Sequence, residues 1–144
     1  MPDVIKLLEQ DHREVEDLFA KAESNSGGAK QQVVSKIASE LTIHAQVEEQ
    51  YVYPAMREAG LDDLVGEAES EHQKVKNLVA QLETMDGSTD EVDPVLQELK
   101  SNVEHHVQEE ESEAFPKFRD ACSQETLQAL ADQVQQAKEA LSAG

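Results

Sequence analysis

The sequence predicts an all-α fold, an up-down antiparallel four-helix bundle with an additional short C-terminal helix, and three observations predict it. Apolar residues recur at alternating spacings of three and four along most of the chain. The commonest residue types, Ala, Glu, Gln, Leu, Lys, Val and Ser, lean towards helix, and strand-like alternation is hard to find. Turn-forming residues break the pattern at NSGG (25–28), AG (59–60), DGSTD (86–90) and around Pro116 to Ser123, leaving five helical segments. A chain of 144 residues suits one domain with a core that needs no disulfide or metal staple. The expected division is a bundle over 1–120 and an amphipathic C-terminal helix over 121–144, packed on the bundle or on a partner.

Each segment carries its own stripe. The first runs Ile5, Leu8, His12, Val15, Phe19, Ala22, behind an expected N-cap at Asp3. The second runs Val34, Ile37, Leu41, His44, Glu48, Tyr51, Ala55. The third, with Asp62 expected as its cap, runs Leu61, Val65, Ala68, His72, Val75, Val79, Leu82. The fourth, with Asp90 expected as its cap, runs Val92, Leu96, Leu99, Val103, His106, Glu110, Glu113. The fifth carries Leu127, Leu130, Val134, Ala137 and Leu141. Stripes of this kind face other helices across short loops.

The interruptions of these stripes are informative. Each of the four bundle stripes contains one His near its middle, and two contain a Glu one turn later. An unpaired buried polar group costs several kcal/mol, on the order of 2–7. Four helices that turn such groups inward at one level therefore need a shared partner. The chain also repeats itself. EQDHREVEDLFA (9–20) resembles ESEHQKVKNLVA (69–80), and HAQVEEQYVYP (44–54) matches HVQEEESEAFP (106–116). Each half is a helical hairpin with a lone His on its first helix and His-x-x-x-Glu on its second. Residues i and i+4 lie on one helical face, so His44 with Glu48, and His106 with Glu110, suit a common centre. One transition ion cannot easily use four imidazoles and two carboxylates from four helices. Two ions can, with two imidazoles each and bridging carboxylates. Mixed nitrogen and oxygen donors suit iron or manganese better than zinc.

These residues, His12, the His44/Glu48 pair, His72 and the His106/Glu110 pair, make the chain resemble the hemerythrin and HHE cation-binding family over roughly residues 3–120. The Pro54 and Pro116 tails add to the resemblance. It implies an up-down bundle holding two non-haem Fe ions, oxo- or hydroxo-bridged, with a small diatomic or peroxide ligand. In one respect the chain departs from oxygen-carrying hemerythrins, which have a fifth His on the third helix. Here Ala68 and Lys76 stand one turn either side of His72. Tyr51 is the candidate catalytic residue for the vacancy. It follows Glu48 by three and is read as a phenolate ligand, a hydrogen-bond donor or redox-active ring beside the metals, or a core tyrosine. Glu113 is its equivalent in the second half. His105, which forms its own pair with Glu109, is read as flanking the seam.

Composition bounds the function. With 31 acidic against 12 basic residues the formal charge is −19, which repels phosphate backbones and anionic membrane surfaces. Neither nucleic acid nor membrane is an expected partner. Cys122 is alone, so no intramolecular disulfide can form, and no leader or membrane span is legible; the expected location is cytoplasmic. No nucleotide loop or Ser/His/Asp arrangement competes with the metal chemistry. The expected function is redox chemistry on small oxygen or nitrogen species, as peroxide decomposition or nitric oxide turnover, with electrons from an outside donor or the substrate. The alternative is reversible oxygen binding, or oxygen or iron sensing without turnover.

Overall fold

A computed structural model describes residues 3–143. Helix α1 (Val4–Ser24) opens on Asp3, whose carboxylate accepts from the Lys6 amide at 3.0 Å. The other oxygen of Asp3 accepts from Arg119 at 2.6 Å and Gln124 at 3.3 Å, tying the start of the bundle to its last helices. Burial pushes the Asp3 carboxyl up, but these donors outweigh it and hold the group below its usual range. Helix α2 (Gly27–Val47) follows a turn in which Gly27 has φ +59°, a conformation open to glycine at little cost.

The second bundle helix does not end at Val47. A π-helical turn (Glu48–Val52) links α2 to α3 (Tyr53–Glu58), and the Tyr53 amide reaches back five residues to the Glu48 carbonyl. The fourth bundle helix repeats this. Helix α5 (Asp93–Glu109) passes through a π turn (Glu110–Ala114) into α6 (Phe115–Ala121), with Phe115 N–H bonded to the Glu110 carbonyl. Pro54 and Pro116 sit in the first turn of the helix after each π turn. A proline there has no N–H to give to the carbonyl four residues back, and the wider turn relieves its clash with that carbonyl. The break expected over Pro116 to Ser123 falls at the end of that stretch, at Cys122 and Ser123.

Helix α4 (Asp62–Glu83) is capped at Leu61, so Asp62 lies in its first turn, where its charge suits the helix dipole. A 3-10 turn (Asp90–Val92) precedes α5, and the cap is Thr89, whose hydroxyl accepts from Glu91 N–H at 3.3 Å. Helix α7 (Gln124–Ala143) buries Leu127, Leu130, Ala131 and Val134 against α1, α2 and the first π turn.

The core is in two pieces. One cluster packs Val15, Leu18 and Phe19 with Ile37, Leu41, Val75, Leu78, Leu99 and Val103. The other packs Val4, Ile5 and Leu8 with Val52, Tyr53, Met56, Phe115, Phe118 and the apolar face of α7. Between them lies a buried polar layer of His12, His44, Glu48, His72, His106 and Glu110.

Candidate metal centre

The polar layer is built from the middle of each bundle helix. All four imidazoles turn Nε2 inward. His44 Nε2 lies 3.0 Å and His72 Nε2 3.1 Å from Glu48 Oε1. His12 Nε2 lies 3.2 Å and His106 Nε2 3.4 Å from Glu110 Oε1. Each carboxylate thus meets one imidazole from each helical hairpin. His12, His44 and Glu110 bring donor atoms within 4.8 Å of one another, and so do Glu48, His72 and His106.

The outward nitrogens are held by a ring of carboxylates. Asp11 of α1 faces His44 Nδ1 of α2 at 3.1 Å. Glu49, in the first π turn, faces His72 Nδ1 of α4 at 3.2 Å. Glu71 of α4 faces His106 Nδ1 of α5 at 2.7 Å. Glu111, in the second π turn, faces His12 Nδ1 of α1 at 2.7 Å and closes the ring. An acceptor at Nδ1 keeps a proton there and turns the Nε2 lone pair inward, which is how metal-binding imidazoles are oriented.

The inner atoms are poorly satisfied by protein alone. His12 Nε2, His44 Nε2, Glu48 Oε2 and Glu110 Oε1 are buried without a hydrogen bond, close neighbours notwithstanding. His72 Nε2 and His106 Nε2 stand 3.2 Å apart, and two lone pairs facing at that distance repel unless a proton or cation lies with them. This donor set fits cations. Burial disfavours a charged His44, but the Glu48 and Asp11 carboxylates more than reverse that and raise it to about 10. Burial and then Glu110 act in the same opposed way on His106, whose pKa is raised well above the usual value. Burial would raise Glu48; the imidazoles around it hold it well below the usual carboxylate range. His44 and His106 thus hold protons that a metal ion can displace.

The tyrosine in this layer is Tyr53, not Tyr51. The Tyr53 side chain is 1% exposed, with its hydroxyl 3.0 Å from His72 Nε2 and donating to Glu110 Oε2 at 3.2 Å. Tyr51 is half-buried against the apolar cluster that α7 joins. The cause is the π turn, whose extra residue moves the inward position after Glu48 from three or four residues on to five. The same shift places Phe115 inward in the second half and leaves Glu113 half exposed, paired with Lys117 at 3.3 Å. Burial first, then the Glu48 and Glu110 charges, push the Tyr53 hydroxyl well above its usual pKa, so it keeps its proton. His105 stands outside the layer, 66% exposed, 2.9 Å from Glu109 and 3.4 Å from Glu71. Glu69 and Glu16, each one turn from a layer histidine, point away from the layer and pair with Arg57 and Arg13.

A cavity of about 30 Å³ adjoins the imidazoles, walled by Val15, Leu41, Ala45, Val75, Val103 and Val107. That is room for one or two waters, or a molecule of two or three heavy atoms.

Fold and donor set together define a helical-bundle metal-binding domain. The chain belongs to the hemerythrin HHE cation binding domain family, whose model matches residues 3–118. A solved hemerythrin HHE cation binding domain-containing protein of Mycobacterium kansasii superposes with a TM-score of 0.85, at 22% identity, over 98% of this chain and 88% of that one. A curated relative, a DNA nickase of Nostoc sp., is 30% identical over 137 residues, which are 94% of this chain but 38% of that protein. Among the described residues no helix is long and apolar enough to cross a membrane.

Proposed function

We propose that the polar layer holds two non-haem iron ions and carries out redox chemistry on a small oxygen or nitrogen species, peroxide or nitric oxide. His12, His44 and Glu110 would hold one ion, and His72, His106 and Glu48 the other. The observation that carries this reading is a buried layer whose donor atoms fall into two groups of three, with His12 Nε2, His44 Nε2, Glu48 Oε2 and Glu110 Oε1 left without a hydrogen bond. Bound iron would supply Lewis acidity and electrons to the small molecule. The protein's own residues do the rest. Asp11, Glu49, Glu71 and Glu111 orient the imidazoles. The valine-lined cavity limits what enters to a few atoms and disfavours charged or bulky species. Tyr53 holds a proton at Oη, 3.0 Å from His72 Nε2, where it can donate to a bound small molecule or add an oxygen donor to the centre.

Turnover is favoured over simple oxygen carriage by the third bundle helix. Ala68 and Lys76 flank His72 by one turn, and Lys76 is committed to Glu49 at 2.7 Å. Neither adds a nitrogen donor, and Tyr53 stands beside His72 instead. The test is metal analysis with peroxide and nitric oxide turnover of the purified protein. About two irons per chain are expected from the two donor groups, with a sharp loss in His44→Ala and Glu110→Ala. Tyr53→Phe should keep both irons and slow turnover, while Tyr51→Phe matches the parent. Full iron retention in both ligand variants would overturn the assignment. An unchanged rate in Tyr53→Phe would remove Tyr53 from the chemistry.

A further inference from the structure

We propose that Lys138, on the C-terminal helix outside the four-helix bundle, is a positioning residue of the metal centre, acting through Asp11 on His44. The proposal rests on the di-iron reading above. Asp11 divides its two oxygens. Oδ2 faces His44 Nδ1 at 3.1 Å, and Oδ1 accepts from the Lys138 ammonium. Asp11 is buried, and with one partner its carboxylate would be free to turn; the second, cationic partner fixes its orientation. Asp11 then holds the proton on His44 Nδ1 and leaves Nε2 to bind an ion.

Other members of the carboxylate ring are also backed by cations, but from the bundle itself. Arg13 of α1 donates to Glu111 and is 55% exposed; Lys76 of α4 donates to Glu49 and is 46% exposed. Lys138 is 29% exposed and arrives from a different helix. It stands one turn beyond Val134, on the helix that Leu127, Leu130, Ala131 and Val134 fix against α1 and α2. The packing of α7 therefore sets where the ammonium lies. The consequence is an asymmetry between the two ions. Lys138 of α7 serves the ion at His12, His44 and Glu110, whereas Glu49, beside the ion at His72, His106 and Glu48, takes its cation from Lys76 of α4, although α7 also packs on the π turn that carries Glu48 and Glu49.

The experiment is release of iron from the iron-loaded full chain into excess EDTA, followed by absorbance and by the ⁵⁷Fe Mössbauer signals of the remaining ions. Loss of a group that orients a metal-bound imidazole weakens metal binding on the order of 10–100-fold. In Lys138→Met one of the two irons should leave at least about tenfold faster, the other at the parental rate, with one Mössbauer signal altered. Lys138→Arg should restore parental release, a rescue that a generally loosened helix would not show. Lys76→Met should speed the other iron. Asp11→Asn, which keeps the shape but not the charge, should reproduce the Lys138→Met pattern, so the proposal stays testable if one variant folds poorly by circular dichroism. Parental release of both irons in Lys138→Met or Asp11→Asn, or equal acceleration of both, overturns the proposal and leaves the di-iron reading intact. A parent protein that holds no iron pair overturns both.

Discussion

Four acidic residues stand beside a candidate ligand in the sequence yet serve the imidazole of a neighbouring helix. Asp11 precedes His12, Glu49 follows Glu48, Glu71 precedes His72 and Glu111 follows Glu110. Successive residues on a helix point about 100° apart, so the neighbour of an inward residue faces the adjacent helix. Glu71→Gln should therefore weaken metal binding about 10–100-fold by loosening His106, while Glu69→Gln should leave it unchanged; competition against a calibrated chelator measures both. The pH dependence of the metal-free protein belongs to the same atoms. His44 is raised from 6.5 to about 10 in the fold. Its contribution to stability is complete below the unfolded value and is lost as pH rises through about 10. Glu48, held well below 4.5, contributes above that unfolded value and loses it as pH falls through its folded one. The thermal midpoint of metal-free protein should thus fall between pH 7 and 10, and again in acid. A midpoint flat from pH 7 to 10 would mean that His44 is neutral in the metal-free fold. Metal binding has the opposite alkaline trend, because the ion displaces the inner protons and gains affinity as they are removed.

At the scale of the element, the two π turns decide which side chains reach the centre. With α-helical geometry throughout, Tyr51 and Glu113 would continue the seam, as the spacing predicts; one extra residue per turn replaces them with Tyr53 and Phe115. Denaturant unfolding of the iron-loaded protein tests this. Glu113→Ala should change stability by less than about 0.5 kcal/mol, as at an exposed site. Phe115→Ala should cost about 3–5 kcal/mol, as for an aromatic side chain removed from a core. The reverse order would restore the α-helical register. The helices and the ligand candidates were legible in the sequence because Ile5, Leu8, His12 and Val15, and their counterparts, follow one helical period, and buried histidines stand out against Leu and Val. The turn after Glu48 was not, since a π turn carries no strong composition of its own. Its trace was Pro54 and Pro116, each ten residues after a His, inside helices that continue past them. The carboxylate ring was hidden differently. Asp11 and Glu71 sit among 31 acidic residues, and only the packing of neighbouring helices separates them from solvated ones.

Over the whole molecule the polar layer separates two apolar clusters, so the centre sits where the bundle has least hydrophobic cohesion. Two further features follow from this placement and from the −19 charge. A negative surface concentrates cations near it, and salt screens that attraction over about 8 Å at physiological ionic strength. Stopped-flow uptake of ferrous iron should accordingly slow as ionic strength rises, with the final stoichiometry unchanged; a salt-independent rate would mean that entry to the layer, not encounter, controls loading. Removing the metal acts on stability instead. Without ions His12 Nε2, His44 Nε2, Glu48 Oε2 and Glu110 Oε1 remain buried without hydrogen bonds, and the two halves of the core are joined across a polar layer. An ion bound only by the folded state stabilises it by about 2.7 kcal/mol at a hundred times its Kd, and a domain of this size gains roughly 2–4 °C per kcal/mol. Chelation should therefore lower the thermal midpoint by at least about 5 °C, with helix content retained. Hydrogen exchange locates the effect. Amides around His12, His44, His72 and His106 should lose protection on chelation, while those around Ile37 and Leu99, deep in the cluster away from α7, keep it. Uniform loss along α1, α2, α4 and α5 would mean that the metals hold the entire bundle together, and that neither apolar cluster is stable on its own.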